Sequence, residues 1–186
     1  MNNSTLYYTT TILTILFIIG SFNYFFSHQS TAPIYTYEAI RDRQSLIEIF
    51  KQNWFWLTTN PDEEDAIKSF EHNIDTLSPS NTPFDSNKLI IKVYHHQGET
   101  KGFIAYYRSG WSMAKILYIG VNERYRRRGY AEALLKYALD DLKKQGFTRV
   151  DLFTRIINER AQNLYKKYGF ISHWHDSEYI TYERTL

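Results

Sequence analysis

The chain contains no cysteine, and this absence removes several kinds of chemistry at once. Without thiols there is no disulfide framework, no cysteine nucleophile and no cysteine-ligated zinc site. A chain without disulfides fits a reducing compartment, although it does not require one. Serine, tyrosine, histidine and carboxylate side chains are therefore the groups available for a reaction.

A large excess of either charge is also missing, because 22 basic residues nearly balance 20 acidic ones in a chain of 186. The formal net charge of +2 provides no field over the whole molecule that would hold a polyanion. We therefore expect no nucleic-acid partner. The length, with 43% hydrophobic residues, predicts a folded globular domain with one sizeable core.

Charged residues are absent from the first 37 positions, where Leu6 to Phe26 reads LYYTTTILTILFIIGSFNYFF. The length of this segment is close to the roughly 20 residues that a membrane-spanning helix needs. We therefore predict an N-terminal hydrophobic helix that acts as a membrane anchor. A cleaved signal peptide and a floppy leader are the alternatives. If the segment is an anchor, the nearest basic residues, Arg41 and Arg43, follow it, and the positive-inside rule then leaves the folded domain in the cytoplasm. Without an anchor we also expect a cytoplasmic protein.

Residues 1–33 are therefore interpreted as a leader and linker, and residues 34–186 as one folded domain. Hydrophobic periodicity in that domain predicts a mixed α/β sheet with the element order β-α-α-β-β-β-α-β-α-β-β. Asp42 is the predicted N-cap of the first helix, and Asn60 is the predicted N-cap of the second. The apolar run Ile116 to Val121 predicts a buried central strand.

Four arginines lie within five consecutive positions of the segment Arg124 to Ala131, RYRRRGYA. The segment falls between the buried strand and a predicted helix, where unpaired backbone N–H groups and the helix dipole attract anions. Gly129 allows a close approach of the backbone to an anion. The cluster predicts a site for a pyrophosphate-sized ligand, because Tyr125 and Tyr130 are too few to form a stacking platform for nucleic acid.

The segment resembles the acyl-CoA loop of the GNAT superfamily of acetyltransferases, whose pattern is Q/R-x-x-G-x-G/A. Arg126 to Ala131 fits all three fixed positions. The surroundings are similar too, because ILYIGV precedes the loop, and VDLFT and NERAQNLYKKYGF follow its helix. The resemblance covers residues 116–170 by motif and 34–184 by element order. It implies a GNAT-like fold and an acetyl-CoA-dependent N-acyltransferase.

The resemblance also implies roles for individual residues. The strand before the loop would splay from its parallel neighbour, with Gly120 as a bulge or a point of close backbone approach. The backbone at Ile119 and Val121 would pair with the pantetheine arm, and the Val121 N–H would stabilise negative charge on the thioester oxygen. Asn158, also a predicted N-cap, would contact the arm. The residues that would cradle the pyrophosphate are Arg126, Arg127, Arg128, Gly129, Tyr130 and Ala131.

The sequence offers a candidate for the general acid but assigns no general base. Tyr165 would protonate the leaving thiolate, although a plain core position is its alternative. The strand that precedes the loop, KILYIGV, carries no carboxylate, so the general base has no assignment. The alternatives that could act through water are Tyr106, Tyr118, His95 and His96. We expect no metal ion.

The expected acceptor is the primary amine of a small molecule or a peptide. In relatives of this kind the acceptor cleft is shaped by the segments that correspond to NWFWLTTNPDEED and WHDSEYITY. The amine would attack the thioester directly while both substrates are bound. Two other functions stay open: a membrane-tethered acyl-CoA sensor without turnover, which the missing carboxylate favours, and a basic RNA-binding module.

Overall fold

A computed structural model of the protein describes residues 33–76 and 88–186. These residues belong to one compact unit, Pro33–Leu186. The predicted hydrophobic helix over residues 6–26 lies outside the described residues. Among the helices that are described, none is long and apolar enough to cross a membrane.

A mixed sheet of seven strands forms the centre of the described domain, in the order β1-β2-β3-β4-β5-β7-β6. Its strands are β1 (Ile34–Thr36), β2 (Ile90–His96), β3 (Glu99–Arg108), β4 (Met113–Val121), β5 (Arg149–Arg155), β6 (Ile171–His175) and β7 (Tyr179–Thr185). The pair β4 and β5 is parallel, and the other neighbours in this sheet are antiparallel. The predicted mixed α/β architecture is confirmed.

Five α-helices are described: α1 (Ala39–Lys51), α2 (Trp54–Leu57), α3 (Glu63–Thr76), α4 (Tyr130–Lys144) and α5 (Glu159–Lys167). They cover two faces of the sheet, because alternate residues of a strand point to opposite sides. Phe103 and Ala105 of β3 pack with α1 and α3, whereas Ile104 and Tyr106 pack with α4. The short helix α2 is an addition to the predicted order.

The predicted start of the first helix is wrong. α1 begins at Ala39, so Asp42 lies inside the first turn instead of at the N-cap. The Asp42 carboxylate is fully buried and accepts hydrogen bonds from the Glu38 N–H at 2.8 Å and from the Arg41 guanidinium at 2.8 Å. Asp42 therefore stabilises the helix start from inside the first turn, because its side chain accepts a hydrogen bond from a nearby backbone N–H.

The predicted cap of the second helix is also displaced. Asp62, not Asn60, accepts a hydrogen bond from the Asp65 N–H, at 2.9 Å, before α3 begins at Glu63. The Asn60 side chain instead accepts from the Asp62 N–H at 3.0 Å, which forms a turn ahead of the helix. Both residue types suit an N-cap, and the sequence pattern placed the helix start two residues too early.

The irregularity in β4 lies at Leu117 and not at Gly120. In the pairing of β3 with β4, Ala105 faces Tyr118 while Tyr106 faces Ile116, so Leu117 is the extra residue. Gly120 is needed for a different reason, because a Cβ there would lie 2.7 Å from the Phe103 ring. The side chains that crowd this glycine belong to the core.

Candidate functional site

The two parallel strands at the centre of the sheet separate along their length. Their pairing is confined to Met113–Lys115 of β4 and Arg149–Asp151 of β5. β4 then runs on to Val121 and β5 to Arg155 without further pairing between them. The expected splay is present, and it leaves one side of the β4 backbone without a neighbouring strand.

The backbone of Ile119 and Val121 faces this gap. The Asn122 N–H donates to the Lys101 carbonyl of β3 at 3.0 Å, and hydrogen-bonded pairs alternate along an antiparallel ladder. Val121 and Ile119 therefore occupy non-hydrogen-bonded pairs, and their N–H and C=O groups point away from β3. The Val121 carbonyl accepts instead from the Asn53 side chain at 3.2 Å.

A cleft of about 870 Å³ occupies the gap. Its walls come from β4, the arginine segment, β5 and α5. The fold therefore brings the predicted residues of these four segments to one place. The predicted site residues that line it are Ile119, Val121, Arg126, Arg127, Gly129, Tyr130, Ala131, Asn158 and Tyr165. Arg128 is the exception, and its guanidinium carbon lies 5.6 Å from the centroid of the Tyr125 ring.

The loop before α4 has the geometry of an anion site. Within the described residues, the backbone N–H groups of residues 127–132 donate to no acceptor, and the first to bond back is Ala133, to the Gly129 carbonyl at 2.9 Å. Arg127 and Gly129 adopt left-handed φ values of 63° and 83°. Such turns gather successive N–H groups into a concavity that binds anions. A Cβ built on Gly129 would meet nothing within 4 Å, so the space is open.

The guanidinium of Arg126 is used inside the protein. It donates to the Gln52 carbonyl and to the Asn53 side-chain oxygen, both at 3.1 Å. The same Asn53 side chain bonds the Val121 carbonyl, so it joins the end of α1 to both the loop and β4. The sequence placed Asn53 only within the segment NWFWLTTNPDEED that was expected to shape the acceptor cleft, and nothing in it predicted the contacts with the loop and with β4.

A second set of side chains holds the loop from the β2–β3 hairpin. The Lys101 ammonium lies 3.7 Å from the centroid of the Tyr125 ring and 2.5 Å from a Glu99 carboxylate oxygen. The Tyr125 hydroxyl donates to the same Glu99 oxygen. Burial by itself would lower the pKa of Lys101, but Glu99 and Tyr125 together raise it above its usual value. Lys101 is therefore a buried cation that fixes the turn leading into the loop.

Tyr165 of α5 both packs in the core and reaches the cleft. Its ring centroid lies 5.9 Å from those of Phe170 and Tyr182, and its side chain lines the cleft wall. Among the described residues its hydroxyl has no hydrogen-bond partner. Burial raises the pKa of Tyr165 above its usual value. The hydroxyl is therefore protonated at neutral pH, and Tyr165 is at once a core residue and part of the cleft lining.

Asn158 caps α5, as predicted. Its side-chain oxygen accepts a hydrogen bond from the Ala161 N–H at 3.3 Å. Asn158 also lines the cleft. The side-chain nitrogen makes no hydrogen bond within the described part of the chain, so it is available to a ligand while the oxygen caps the helix.

The four suggested general bases do not line the cleft; they are Tyr106, Tyr118, His95 and His96. The Tyr106 hydroxyl is buried and donates to Asp141 of α4 at 2.6 Å. Tyr118 packs edge-on against Phe50, on the face covered by α1 and α3. His95 contacts Asp42 at 2.9 Å, and His96 is exposed on the hairpin. Tyr106, Tyr118 and His95 therefore make contacts within the fold, away from the cleft.

Comparison with known proteins identifies the family. Residues 43–170, more than half of the chain, match the acetyltransferase (GNAT) family. The chain belongs to this family. The relationship expected from the arginine loop is confirmed.

Individual relatives agree with this assignment. The GNAT chain is similar to the PaiA N-acetyltransferase of Thermoplasma acidophilum, solved in complex with coenzyme A, with a TM-score of 0.65 and 22% identity over 82% of this chain and 99% of that one. The ribosomal-protein-S18-alanine N-acetyltransferase of Escherichia coli matches with a TM-score of 0.62 and 18% identity over 82% and 92% of the two chains. At these identities the likeness concerns the fold.

A curated relative matches part of the sequence. A Bacillus subtilis (strain 168) protein, named as a candidate ribosomal protein bS18-alanine N-acetyltransferase, is 34% identical over 74 residues. The match covers 38% of this GNAT chain and 49% of that protein, so the chain spans about half the length of this relative.

Proposed function

We propose that the protein transfers an acetyl group from acetyl-CoA to a primary amine by direct attack in a ternary complex. One observation carries the proposal: the unpaired N–H groups of residues 127–132 lie at the start of α4, beside the gap between β4 and β5. An anion site next to an unpaired strand edge suits a ligand with a diphosphate at one end and amide groups along an extended arm.

Each part of the ligand has candidate partners in the chain. The backbone of residues 127–131 would bind the diphosphate, with Arg127 and Arg128 supplying positive charge and Arg126 holding the loop in place. Ile119 and Val121 would pair with the arm, and the Asn158 side chain would donate to it. Bound acetyl-CoA would supply the acetyl thioester.

Two groups of the chain would assist the reaction. The Val121 N–H would donate to the thioester oxygen as negative charge develops there, and a fixed donor of this kind contributes on the order of a few kcal/mol. The hydrogen bond from Asn53 to the Val121 carbonyl would keep the neighbouring backbone oriented. Tyr165, whose hydroxyl is protonated at neutral pH, would donate its proton to the leaving sulfur.

The acceptor would be the amine of a small molecule or a peptide. The Bacillus subtilis relative is named for acetylation of an alanine of a ribosomal protein, which favours a peptide amine as the first substrate to test. The acceptor would approach from the side of α2 and the β6–β7 hairpin, as the family resemblance implies. The described strand β4 carries no carboxylate that could act as the general base. The acceptor amine would therefore lose its proton to water or to a basic group of the acceptor itself.

An amine panel tests this function. The full chain is incubated with acetyl-CoA and with peptides, amino-acid amides and polyamines, and the release of free CoA thiol is followed. We expect thiol release that depends on the amine, with acetylated product by mass spectrometry. Tight CoA binding without turnover on any amine would contradict the transferase and favour the sensor.

The N-terminal segment is still expected to be a membrane anchor, independently of the proposed activity. The composition of residues 6–26 favours an anchor that leaves the acetyltransferase domain in the cytoplasm. Membrane fractionation of the full chain, with and without carbonate extraction, tests the anchor. Recovery of the uncleaved chain in the supernatant before extraction would contradict it.

A further inference from the structure

A second cavity, of about 310 Å³, lies beside the cleft, and Phe153 lines both. Thr59, which follows α2, forms one part of its wall. Phe153 of β5 and the β6–β7 hairpin supply the remainder. Its lining residues are Thr59, Phe153, Trp174, Asp176, Tyr179 and Thr181. Three aromatic rings and two threonine methyl groups make the lining largely apolar, and its volume suits a single side chain of a ligand.

Arg155 lies two residues after Phe153 on β5 and joins the two walls of this cavity. Toward the α2 side, it donates to the Phe55 carbonyl at 2.6 Å and to the Thr58 carbonyl at 3.5 Å. Toward the hairpin, it pairs with the Glu178 carboxylate at 3.6 Å. Its side chain is 11% exposed although all of these partners belong to surface segments.

Aromatic contacts strengthen the same connection. The Arg155 guanidinium carbon lies 4.0 Å from the centroid of the Phe55 ring and 5.0 Å from that of Tyr179. A planar guanidinium that contacts two rings and bonds two carbonyls has few ways to move. The Arg155 side chain therefore ties the α2 segment to the hairpin, which the backbone pairing of β5 with β7 already holds in place.

We propose that Arg155 is a specificity-determining positioning residue, which fixes the width of the second cavity so that it receives an apolar or aromatic side chain next to the acceptor amine. The inference rests on the proposed transferase function, and it narrows the substrate class to amines that carry such a group. The acceptor side chain would bind against Phe153, Trp174 and Tyr179. Phe153 also borders the cleft, so the attached amine would lie next to the thioester end.

The carboxylate of Asp176 lies at the same cavity and is committed to the hairpin. One of its oxygens accepts from the Glu178 N–H at 2.7 Å and from the Tyr179 N–H at 2.6 Å. This turn places Glu178 where Arg155 can reach it and Tyr179 where its ring lines the cavity. Asp176 therefore shapes the hairpin wall, whereas Arg155 sets its distance from the opposite wall.

A matched series of acceptors tests the proposal: glycinamide, alaninamide, leucinamide and phenylalaninamide, each with saturating acetyl-CoA. For the wild-type chain we expect kcat/KM to rise along the series, by about tenfold between glycinamide and phenylalaninamide. In Arg155→Ala this preference should collapse through a higher KM for the two larger amides. Calorimetry should find the affinity for CoA unchanged. Arg155→Lys should not restore the preference, because an ammonium cannot contact both rings and both carbonyls together.

Two further variants make the outcome decisive. Arg149→Ala removes an arginine from the other end of β5 and should keep the wild-type preference. Trp174→Ala removes an exposed wall of the cavity without touching Arg155, and it should weaken the preference even if Arg155→Ala does not fold. Equal losses for all four amides, or an unchanged ratio in both cavity variants, would overturn the inference. If the wild-type chain acetylates glycinamide without preference, the inference fails while the transferase stands; if it acetylates no amine, both fail.

Discussion

The Lys101 ammonium lies against the face of the Tyr125 ring, and Glu99 accepts hydrogen bonds from both side chains. Lys101 is 3% exposed, so this cation–π contact is largely removed from water, where such contacts are strongest. Tyr125 ends the 3-10 turn that leads into the anion loop. The β2–β3 hairpin therefore holds the loop from one side, as Asn53 holds it from the other.

Lys101→Met should weaken CoA binding. Methionine fills a similar volume but removes the charge that orders Tyr125, so the loop loses part of its preorganisation before the ligand arrives. We expect the dissociation constant for CoA to rise by about tenfold, or about 1.4 kcal/mol, in calorimetric titration. Lys136→Met, at an exposed ion pair on α4, is the control and should leave the constant unchanged. Equal constants for wild type and Lys101→Met would show that the contact does not organise the loop.

Gly129→Glu should abolish CoA binding. The new side chain would enter the open space beside the unpaired N–H groups and place a negative charge where the diphosphate is expected. Gly146 offers a matched control, because it has the same left-handed φ of 83° and the same open surroundings, but follows the other end of α4. Gly146→Glu carries the same backbone strain and should bind CoA normally. Loss of binding in both variants would indicate strain instead of a blocked anion site.

The loop before α4 illustrates which features the sequence can predict and which it cannot. The anion loop and the element order follow from local signals: hydrophobic periodicity, a glycine before a helix and a cluster of arginines. The partners of the arginines do not, because Arg126 meets Asn53 across 73 positions and Arg155 meets Phe55 across 100. Such contacts depend on which segments the sheet brings together. Arg155 therefore carried no signal at all in the sequence.

Tyr165→Phe should lower kcat without changing CoA affinity. A positioned acid typically contributes about 10²-fold or more, and a thiolate leaving group needs less help than that, so we expect a loss of about 10–100-fold. Burial raises the pKa of Tyr165, so the hydroxyl stays protonated through its ordinary value near 10. The ratio of wild-type to variant kcat should therefore stay constant from pH 7 to pH 10 in steady-state assays.

Tyr182→Phe is the control for that measurement. Tyr182 contacts the Tyr165 ring and donates to Gln162 at 3.1 Å, but it does not line the cleft. Its removal should affect stability more than kcat. A kcat for Tyr165→Phe equal to that of wild type would leave Tyr165 as a core residue alone, and a ratio that falls between pH 7 and pH 9 would contradict its raised pKa.

Asp42→Asn should destabilise the domain in a pH-dependent way. Burial would raise the pKa of Asp42, but hydrogen bonds from Arg41 and the Glu38 N–H lower it below its usual value. The carboxylate therefore contributes stability that is complete above its unfolded pKa of about 3.9 and is lost as the pH falls through its lower folded pKa. Urea unfolding at pH 7 should find the variant less stable by about 1–3 kcal/mol, and the difference should shrink toward pH 3. Asp75→Asn, at an exposed pair with Arg43, should cost less than 1 kcal/mol. A difference for Asp42→Asn that does not change with pH would contradict a lowered pKa.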